Sequence, residues 1–337
     1  MEREVNDGRE IFIENIDRDE MRSGFLVTSH RKKLWNVQIG LIKEFARICK
    51  KHNLRWFAIC GTLLGAARHK GFIPWDDDVD VVMFRPDYEK FQAIATDEIK
   101  DPYFADIWYN YRLESEGASL DDAEGDFQFI TLEQEKATLN SWISQWESIR
   151  LRDSRTLMVE YAKNFINQGI WIDIFPLDPV PPFDKSDALL SFETAELLYL
   201  IAATPAKMRR LMRDKKIPFN DYNVLERFLN YPYKKRGEIY DHFMSKNFFV
   251  SERVGRLFTH CLVPPQESYR AEDFADIVYL PFEKIEVPAP AGYDRVLTDR
   301  FGDWHKFVIS QSHAEEYSTD ISFKEYYLQS LYFNPKK

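Results

Sequence analysis

The 337-residue sequence lacks the marks of several protein classes. It has three cysteines and no Cys-x-x-Cys spacing, which argues against a disulfide framework, so we interpret Cys49, Cys60 and Cys261 as reduced, buried thiols. No stretch approaches the ~20 apolar residues of a membrane span. Residues 1–19 carry alternating charges and no signal-peptide core. We therefore expect a cytoplasmic protein without a transmembrane segment.

An excess of positive charge is also missing. The formal net charge is −10 and the isoelectric point is about 5.4. Because binding to a nucleic acid polymer relies on excess Lys and Arg, this class of partner is not expected, although small metal-bridged phosphates remain compatible. With 45% hydrophobic and 15% aromatic residues, the chain can bury a large core in one large domain or two ordinary ones.

Apolar periodicity predicts the order of the first elements. Apolar residues at intervals of three and four predict an amphipathic helix over residues 31–50, followed by a buried strand over 55–60. A Gly61-Thr62 turn, a short helix over 63–69 and an acidic strand ending at Phe84 come next. Pro86 suits the first turn of a further helix.

The remaining chain predicts short strands and a helical region. A proline cluster over residues 178–184 marks a boundary, since proline continues neither regular element. We predict an N-terminal extension (1–30), a catalytic core (31–183), a helical region (184–250) and a C-terminal part packing on the core (251–337). The predicted strands are 103–109, 126–132, 146–151, 169–175, 277–280 and 285–287, and the predicted helices are 188–213, 222–246 and 293–301.

Four aspartates within five positions are the most informative feature. In a strand, Asp76, Asp78 and Asp80 would share one face, whereas Asp77 would point away and tolerate replacement best. Carboxylates this close raise each other's pKa unless a cation neutralises them, and hard oxygen ligands suit Mg²⁺ or Mn²⁺. A solvated turn is the alternative. A calcium loop does not fit, because Val81 takes the position that needs glycine.

Polar and basic residues precede this cluster. The Gly61-Thr62 turn could hold a phosphate through backbone N–H groups and a hydroxyl, or it could be an ordinary helix cap. Arg68 and Lys70 could neutralise an anionic donor, or only complement the end of a helix. Trp75 fits a core position better than a stacking platform.

A second acidic position lies in the strand 169–175. Asp173 would share a face with Trp171 and Phe175, where an unpaired carboxylate is costly to bury. It either meets a metal or accepts a proton, or it forms a salt bridge with an arginine. The functional alternative is favoured, because two-metal phosphoryl transfer commonly needs a third acidic group.

Three blocks of the sequence resemble one known family. The block 61–80, GTLLGAARHKGFIPWDDDVD, resembles the signature of the LicD family, the phosphorylcholine transferases that also include fukutin-related proteins. The resemblance continues in WIDIFPLD at 171–178. It returns in VPAPAGYD at 287–294 and RFGDW at 300–304, with Phe301 where the family more often has tyrosine.

The resemblance implies an α/β fold of the nucleotidyltransferase (polymerase-β) type, with a mixed sheet, flanking helices and a mainly helical insertion. It implies metal-dependent transfer of phosphocholine, phosphoethanolamine or a related group from a CDP-linked donor to a sugar hydroxyl of a surface glycan or lipid-linked glycan, releasing CMP. Contact with a membrane would be at most peripheral. The residues implied for donor binding are Gly61 and Thr62, to which we add Arg68 and Lys70 from their positive charge. Those implied for metal binding and catalysis are Asp76, Asp78, Asp80 and Asp173.

Two other functions remain open at this stage. A nucleotide-sugar glycosyltransferase also uses an Asp-x-Asp pair with Mn²⁺, although the preceding Gly-Thr turn favours nucleotidyl-type chemistry. A non-catalytic scaffold in glycan assembly is the second alternative, and the intact carboxylates argue against it.

Overall fold

The computed structural model describes residues 10–119, 128–137, 148–159, 167–180, 197, 205–216, 222–246, 252–256, 268–309 and 316–318. The prediction for Cys261 and most of the helix predicted over 188–213 lie outside these residues.

A seven-stranded mixed sheet forms the centre of the fold. Its longest strand, β10 (Ile170–Pro179), pairs in parallel with β4 (Asp80–Phe84) and antiparallel with β8 (Ile149–Asp153). Ile170, Ile172 and Ile174 are buried on one face of β10. The other strands of the sheet are β3 (Phe57–Ala58), β5 (Tyr103–Asp106), β11 (Arg253–Gly255) and β12 (Ser268–Arg270).

Two long helices pack against this sheet. α1 (Ser29–Lys51) begins after Thr28, whose hydroxyl accepts a hydrogen bond from the Arg31 backbone N–H at 3.2 Å, and its apolar face lies against β8 and β10. α3 (Arg85–Glu98) has Pro86 in its first turn and packs on β4 and β10. α1 confirms the helix predicted over 31–50, and α3 confirms the helix predicted to have Pro86 in its first turn. The other helices are α2 (Cys60–Leu64), α4 (Leu132–Ala137), α5 (Pro205–Arg213), α6 (Tyr222–Leu229), α7 (Tyr233–Lys246) and α8 (Tyr293–Phe301).

The described residues also form four two-stranded sheets. β13 (Ile277–Phe282) and β14 (Ile285–Pro290) pair as an antiparallel hairpin and confirm the strands predicted over 277–280 and 285–287, and α8 confirms the helix predicted over 293–301. The remaining pairs are β1 (Glu20–Arg22) with β2 (Phe25–Val27), β6 (Tyr111–Leu113) with β7 (Gln128–Ile130), and β9 (Leu157–Val159) with β15 (Glu316–Ser318).

The structure corrects some predicted boundaries. The strand predicted over 55–60 is limited to β3, because Cys60 has a φ of 50° and already begins α2, so Gly61 and Thr62 lie inside the first helical turn. The helix predicted over 222–246 is divided into α6 and α7 at Pro232, which has no backbone N–H to donate. Trp75 is buried, as predicted. In the part of the chain that the structure describes, no helix has the length and apolar composition to cross a membrane.

Candidate active site

Two predicted site residues lie side by side on neighbouring strands. In the parallel pairing of β4 with β10, Asp80 is the register partner of Asp173. The backbone N–H of Asp173 also donates to the carbonyl of Val79 at 2.9 Å. Because register partners in a parallel pair point to the same face, both carboxylates lie on one side of the sheet at the start of β4.

The acidic segment ahead of β4 alternates in exposure. Asp76, Asp78 and Asp80 are partly exposed, whereas Asp77 and Val79 are buried, although the regular strand begins only at Asp80. Exposure therefore alternates as in a strand, but the prediction that Asp77 points away from Asp76 and Asp78 is wrong, because its carboxylate lies beside theirs. Carboxylate oxygens of Asp76, Asp77 and Asp78 lie within 4.8 Å of one another. Since Asp77 has 0% exposure, its burial contradicts the expectation that it should tolerate replacement best.

One face of α1 holds the backbone of this acidic segment. Arg31 Nη1 and Trp35 Nε1 donate to the carbonyl of Asp76 at 2.8 and 3.0 Å, and Gln38 Nε2 donates to the carbonyl of Asp77 at 2.8 Å. These three residues are spaced by four and three positions, so they lie on the same side of the helix. The sequence patterns did not predict these contacts; the available signal was a glutamine within an apolar helix face.

Gly61 lies directly against the acidic cluster. A Cβ atom at this position would lie 2.4 Å from Asp76 Oδ2, so any larger residue would displace that carboxylate. The hydroxyl of Thr62, which is buried, accepts a hydrogen bond from the backbone N–H of Asp80 at 2.9 Å. The predicted Gly-Thr pair and the predicted aspartates therefore meet, and Thr62 fixes the start of β4 relative to α2.

The electrostatics of the cluster favour a cation. Burial raises the pKa of Asp76 to about 7, and the charges of Asp80 and Asp77 add to this effect. Hydrogen bonds with Asp78 and with the Asp77 backbone offset part of it. Ionising all of these carboxylates together is unfavourable without a counter-charge. Since the donor set consists of carboxylate oxygens, it fits a hard divalent ion such as Mg²⁺ or Mn²⁺.

Asp173 is held by neighbouring side chains. Its Oδ1 accepts hydrogen bonds from Arg150 Nε at 2.9 Å and Ser148 Oγ at 3.3 Å, and its Oδ2 accepts from Trp171 Nε1 at 2.8 Å. The salt bridge with an arginine is thus present, next to Asp80. A carboxylate has about four lone-pair directions, so about one remains for a further partner. The sequence did not predict Arg150, whose guanidinium lies 4.3 Å from the Trp171 ring centroid.

Arg68 connects this region to the C-terminal block. It lies in the π-helical turn Gly65–His69 that continues α2, and its Nη1 donates to the carbonyls of Trp304 and Lys306, both at 2.7 Å. Its Nε donates to His69 Nε2 at 2.9 Å. Lys70, the second predicted donor-binding cation, is exposed, and its carbonyl accepts from the backbone N–H of Glu283.

The last aspartate of the WIDIFPLD block has a structural partner. Asp178 forms a buried double hydrogen bond with Arg85 at 2.7 and 2.5 Å, at the end of β4 and β10 that lies away from Asp80. Of the two aspartates in the block, only Asp173 therefore lies beside the acidic cluster.

Comparison with known proteins gives a family match over the part of the chain that contains this cluster. Residues 53–186, which include the segment from Gly61 to Asp173, match the family described as LicD/FKTN/FKRP, nucleotidyltransferase domain. This match places a LicD-type domain in residues 53–186. The chain is 25% identical over 283 residues to the lipopolysaccharide cholinephosphotransferase LicD of Haemophilus influenzae, covering 80% of this chain and 89% of that protein.

Two shorter matches are with uncharacterized proteins of Rickettsia. The protein from Rickettsia typhi is 36% identical over 72 residues, and the one from Rickettsia prowazekii is 35% identical over 74 residues. These matches cover 21% and 22% of this chain, and 21% and 26% of the two proteins. They provide no further information about the reaction.

Proposed function

We propose that this protein transfers phosphocholine, or a related group such as phosphoethanolamine, from a CDP-linked donor to a sugar hydroxyl of a surface glycan, and releases CMP. The name of the Haemophilus relative supports a cholinephosphotransferase with a lipopolysaccharide acceptor. The structural observation that carries the proposal is the contact of Gly61 with Asp76 beside the aligned carboxylates of Asp80 and Asp173. A glycine in the first turn of α2, with no side chain between the backbone and the carboxylates, suits a metal-bridged diphosphate.

In this proposal, Asp76, Asp78 and Asp80 hold Mg²⁺ or Mn²⁺, which when bound would neutralise charge on the donor phosphates. The backbone of Gly61 and the adjacent Thr62 would face the diphosphate. The three α1 side chains that bind the backbone carbonyls would keep the carboxylates in place before substrate arrives. Preorganisation of this kind accounts for much of the catalysis in phosphoryl transfer.

Asp173 would take part through its remaining lone pair. As a ligand, it would extend the carboxylate set across the sheet; as a base, it would accept the proton of the acceptor hydroxyl. In either role, the hydroxyl oxygen forms a bond to the donor phosphorus while the bond from phosphorus to the CMP oxygen breaks. Arg150 and Trp171 would hold the Asp173 carboxylate in one orientation throughout.

The proposal is tested by measuring CMP release from a panel of CDP-linked donors with and without Mg²⁺. Asp78→Asn and Asp80→Asn should each lower Mg²⁺-dependent release by about a hundredfold or more, because each removes a charged ligand. Glu286→Gln, an exposed change on β14, is the matched control. Near-normal release by both aspartate variants would refute the assignment.

Product analysis separates the proposal from its alternatives. Phosphorus from the donor should appear in the glycan product, whereas a glycosyltransferase would leave it on the nucleotide. Calorimetry addresses the scaffold alternative, because a non-catalytic protein would bind neither a CDP-linked donor nor Mg²⁺.

A further inference from the structure

An aromatic ring and a cation extend the Asp173 face of the central sheet beyond the acidic cluster. Phe175 lies two residues after Asp173 on β10, so the two side chains point to the same face, roughly 7 Å apart along the strand. Cζ of Arg256 lies over the Phe175 ring, 4.6 Å from its centroid. We propose that Phe175 and Arg256 bind the nucleotide half of the donor, with Arg256 contacting its phosphate. This inference rests on the CDP-linked donor of the proposed function.

The pairing of β11 with β10 accounts for the position of Arg256. Val254 is the register partner of Pro179, which is six residues after Asp173 and therefore on the same face of β10. Arg256 is two residues after Val254, so alternation along the chain brings it to that face as well. The register of the strands and the contact with the Phe175 ring agree on this position.

Phe175 is the accessible position in an otherwise buried strand. Nine of the ten residues of β10 are buried, whereas Phe175 is half-buried. Arg256 and Asp80 are half-buried too. Since Asp80 is the register partner of Asp173, all three of these partly accessible residues lie on the same face of the sheet. A ligand that reaches the acidic cluster can therefore also reach the guanidinium.

The two groups match the two parts of a nucleotide. A guanidinium forms paired, charge-assisted hydrogen bonds with phosphate oxygens, and its N–H groups remain donors when it lies over an aromatic ring. Guanidinium planes and aromatic rings are also surfaces on which a base can stack. With Asp80 at one end of this face and Arg256 at the other, Arg256 would neutralise the phosphate that leaves with CMP.

The arginines of β8 supply little positive potential to this face. Arg150 pairs with the carboxylate of Asp173 at 2.9 Å, and Arg152 pairs with that of Asp106 at 2.7 Å. Each of these charges is balanced by its partner, so an anionic donor gains little from them. Arg256 adds a further cation to the same face, beyond Asp173 on the side away from the arginine of the Asp106 pair.

Isothermal titration calorimetry with CMP and with cytidine, both in the presence of Mg²⁺, tests this site. The unmodified protein should bind CMP at least tenfold more tightly than cytidine, which has no phosphate. Arg256→Met should weaken CMP binding by about tenfold or more and leave cytidine binding nearly unchanged, because it removes charge-assisted hydrogen bonds to the phosphate alone. Phe175→Leu should weaken the binding of both ligands by about fivefold or more, because it removes the ring beside the base.

Two further variants make this result decisive. Arg270→Met, which changes an exposed arginine on β12, is the matched control and should bind both ligands as the unmodified protein does. Arg256→Lys keeps the charge but not the planar fork, so it should show a preference for CMP between those of the unmodified protein and Arg256→Met. It decides the result if Arg256→Met fails to fold, and an unchanged preference in Arg256→Lys would then count against the site.

The preference for CMP and the release of CMP from a donor are separate measurements. If Arg256→Met loses the preference but no CDP-linked donor releases CMP from the unmodified protein, the nucleotide site stands and the transfer reaction does not. If donors release CMP and Arg256→Met keeps the preference, the transfer reaction stands and this inference is overturned. It is also overturned if the unmodified protein binds cytidine as tightly as CMP, or if Phe175→Leu binds both ligands unchanged.

Discussion

Binding of Mg²⁺ to the acidic cluster should release a proton at neutral pH. Asp76 faces Gly61 and has a pKa of about 7, raised by burial and by the nearby carboxylates. A metal ligand must be ionised, so ion binding displaces any proton present on this group. With a pKa of about 7, roughly nine-tenths of the metal-free molecules carry this proton at pH 6, about half at pH 7 and about one-tenth at pH 8.

The raised pKa of Asp76 also determines whether the stability of the metal-free protein rises or falls with pH. The folded-state pKa of Asp76 lies above its ordinary value of 3.8, so the folded protein binds this proton more tightly than the unfolded chain does. Metal-free stability should therefore fall as pH rises from about 4 through 7. The difference of about three pH units corresponds to an upper value on the order of 4 kcal/mol. Added Mg²⁺ should restore stability above pH 7 and have less effect at pH 5.

Calorimetric titration of Mg²⁺ in two buffers with different ionisation enthalpies measures the released protons. The release should be close to one proton per ion at pH 6 and small at pH 8. Asp76→Asn should abolish it, and Glu286→Gln should not change it. Two results would refute the assignment of this proton to Asp76: equal Mg²⁺ binding enthalpies in the two buffers at pH 6, or an unchanged proton release in Asp76→Asn.

Three further substitutions test the surroundings of the cluster. Gly61→Ala should weaken Mg²⁺ binding at least tenfold in calorimetry and change thermal stability little, because its Cβ would displace the carboxylate of Asp76. Asp77→Ala should lower the free energy of unfolding in urea by about 2 kcal/mol or more, since it empties a fully buried polar position. Arg150→Met should cost about 3–5 kcal/mol by leaving Asp173 buried without its charge partner, and Arg150→Lys should recover part of that loss.

Local patterns in the sequence were sufficient for the elements that depend on local physics. The periodicity of α1 and the bounds of α8 follow from side chains close in the chain. The chemistry of close carboxylates led to the prediction that Asp80 is a site residue, and the cost of burying an unpaired carboxylate led to the same prediction for Asp173; the structure places the two side by side. Their register, by contrast, is set by hydrogen bonds between strands about 90 residues apart, which no local pattern contains.

The incorrect and missing predictions for the site also depend on structure that no local sequence pattern contains. The prediction for Asp77 assumed strand alternation, but the regular strand begins only at Asp80, and the buried carboxylate of Asp77 lies beside those of Asp76 and Asp78. The partners of Asp173 and of the acidic backbone come from β8 and α1, far away in the sequence. Pro232 was a usable local signal for the break between α6 and α7.

The two interpretations of Arg68, donor binding and a structural role, turn out to be compatible. Its hydrogen-bond partners are two backbone carbonyls and the His69 ring, which burial and the Arg68 charge keep at a lowered pKa of about 4. None of these partners carries a negative charge at neutral pH, so the guanidinium positions the C-terminal block without losing its own charge. Arg68 also lies on the turn that continues directly from Gly61 and Thr62. The residue that fixes the 300–304 block can therefore also contribute positive potential to an anionic donor.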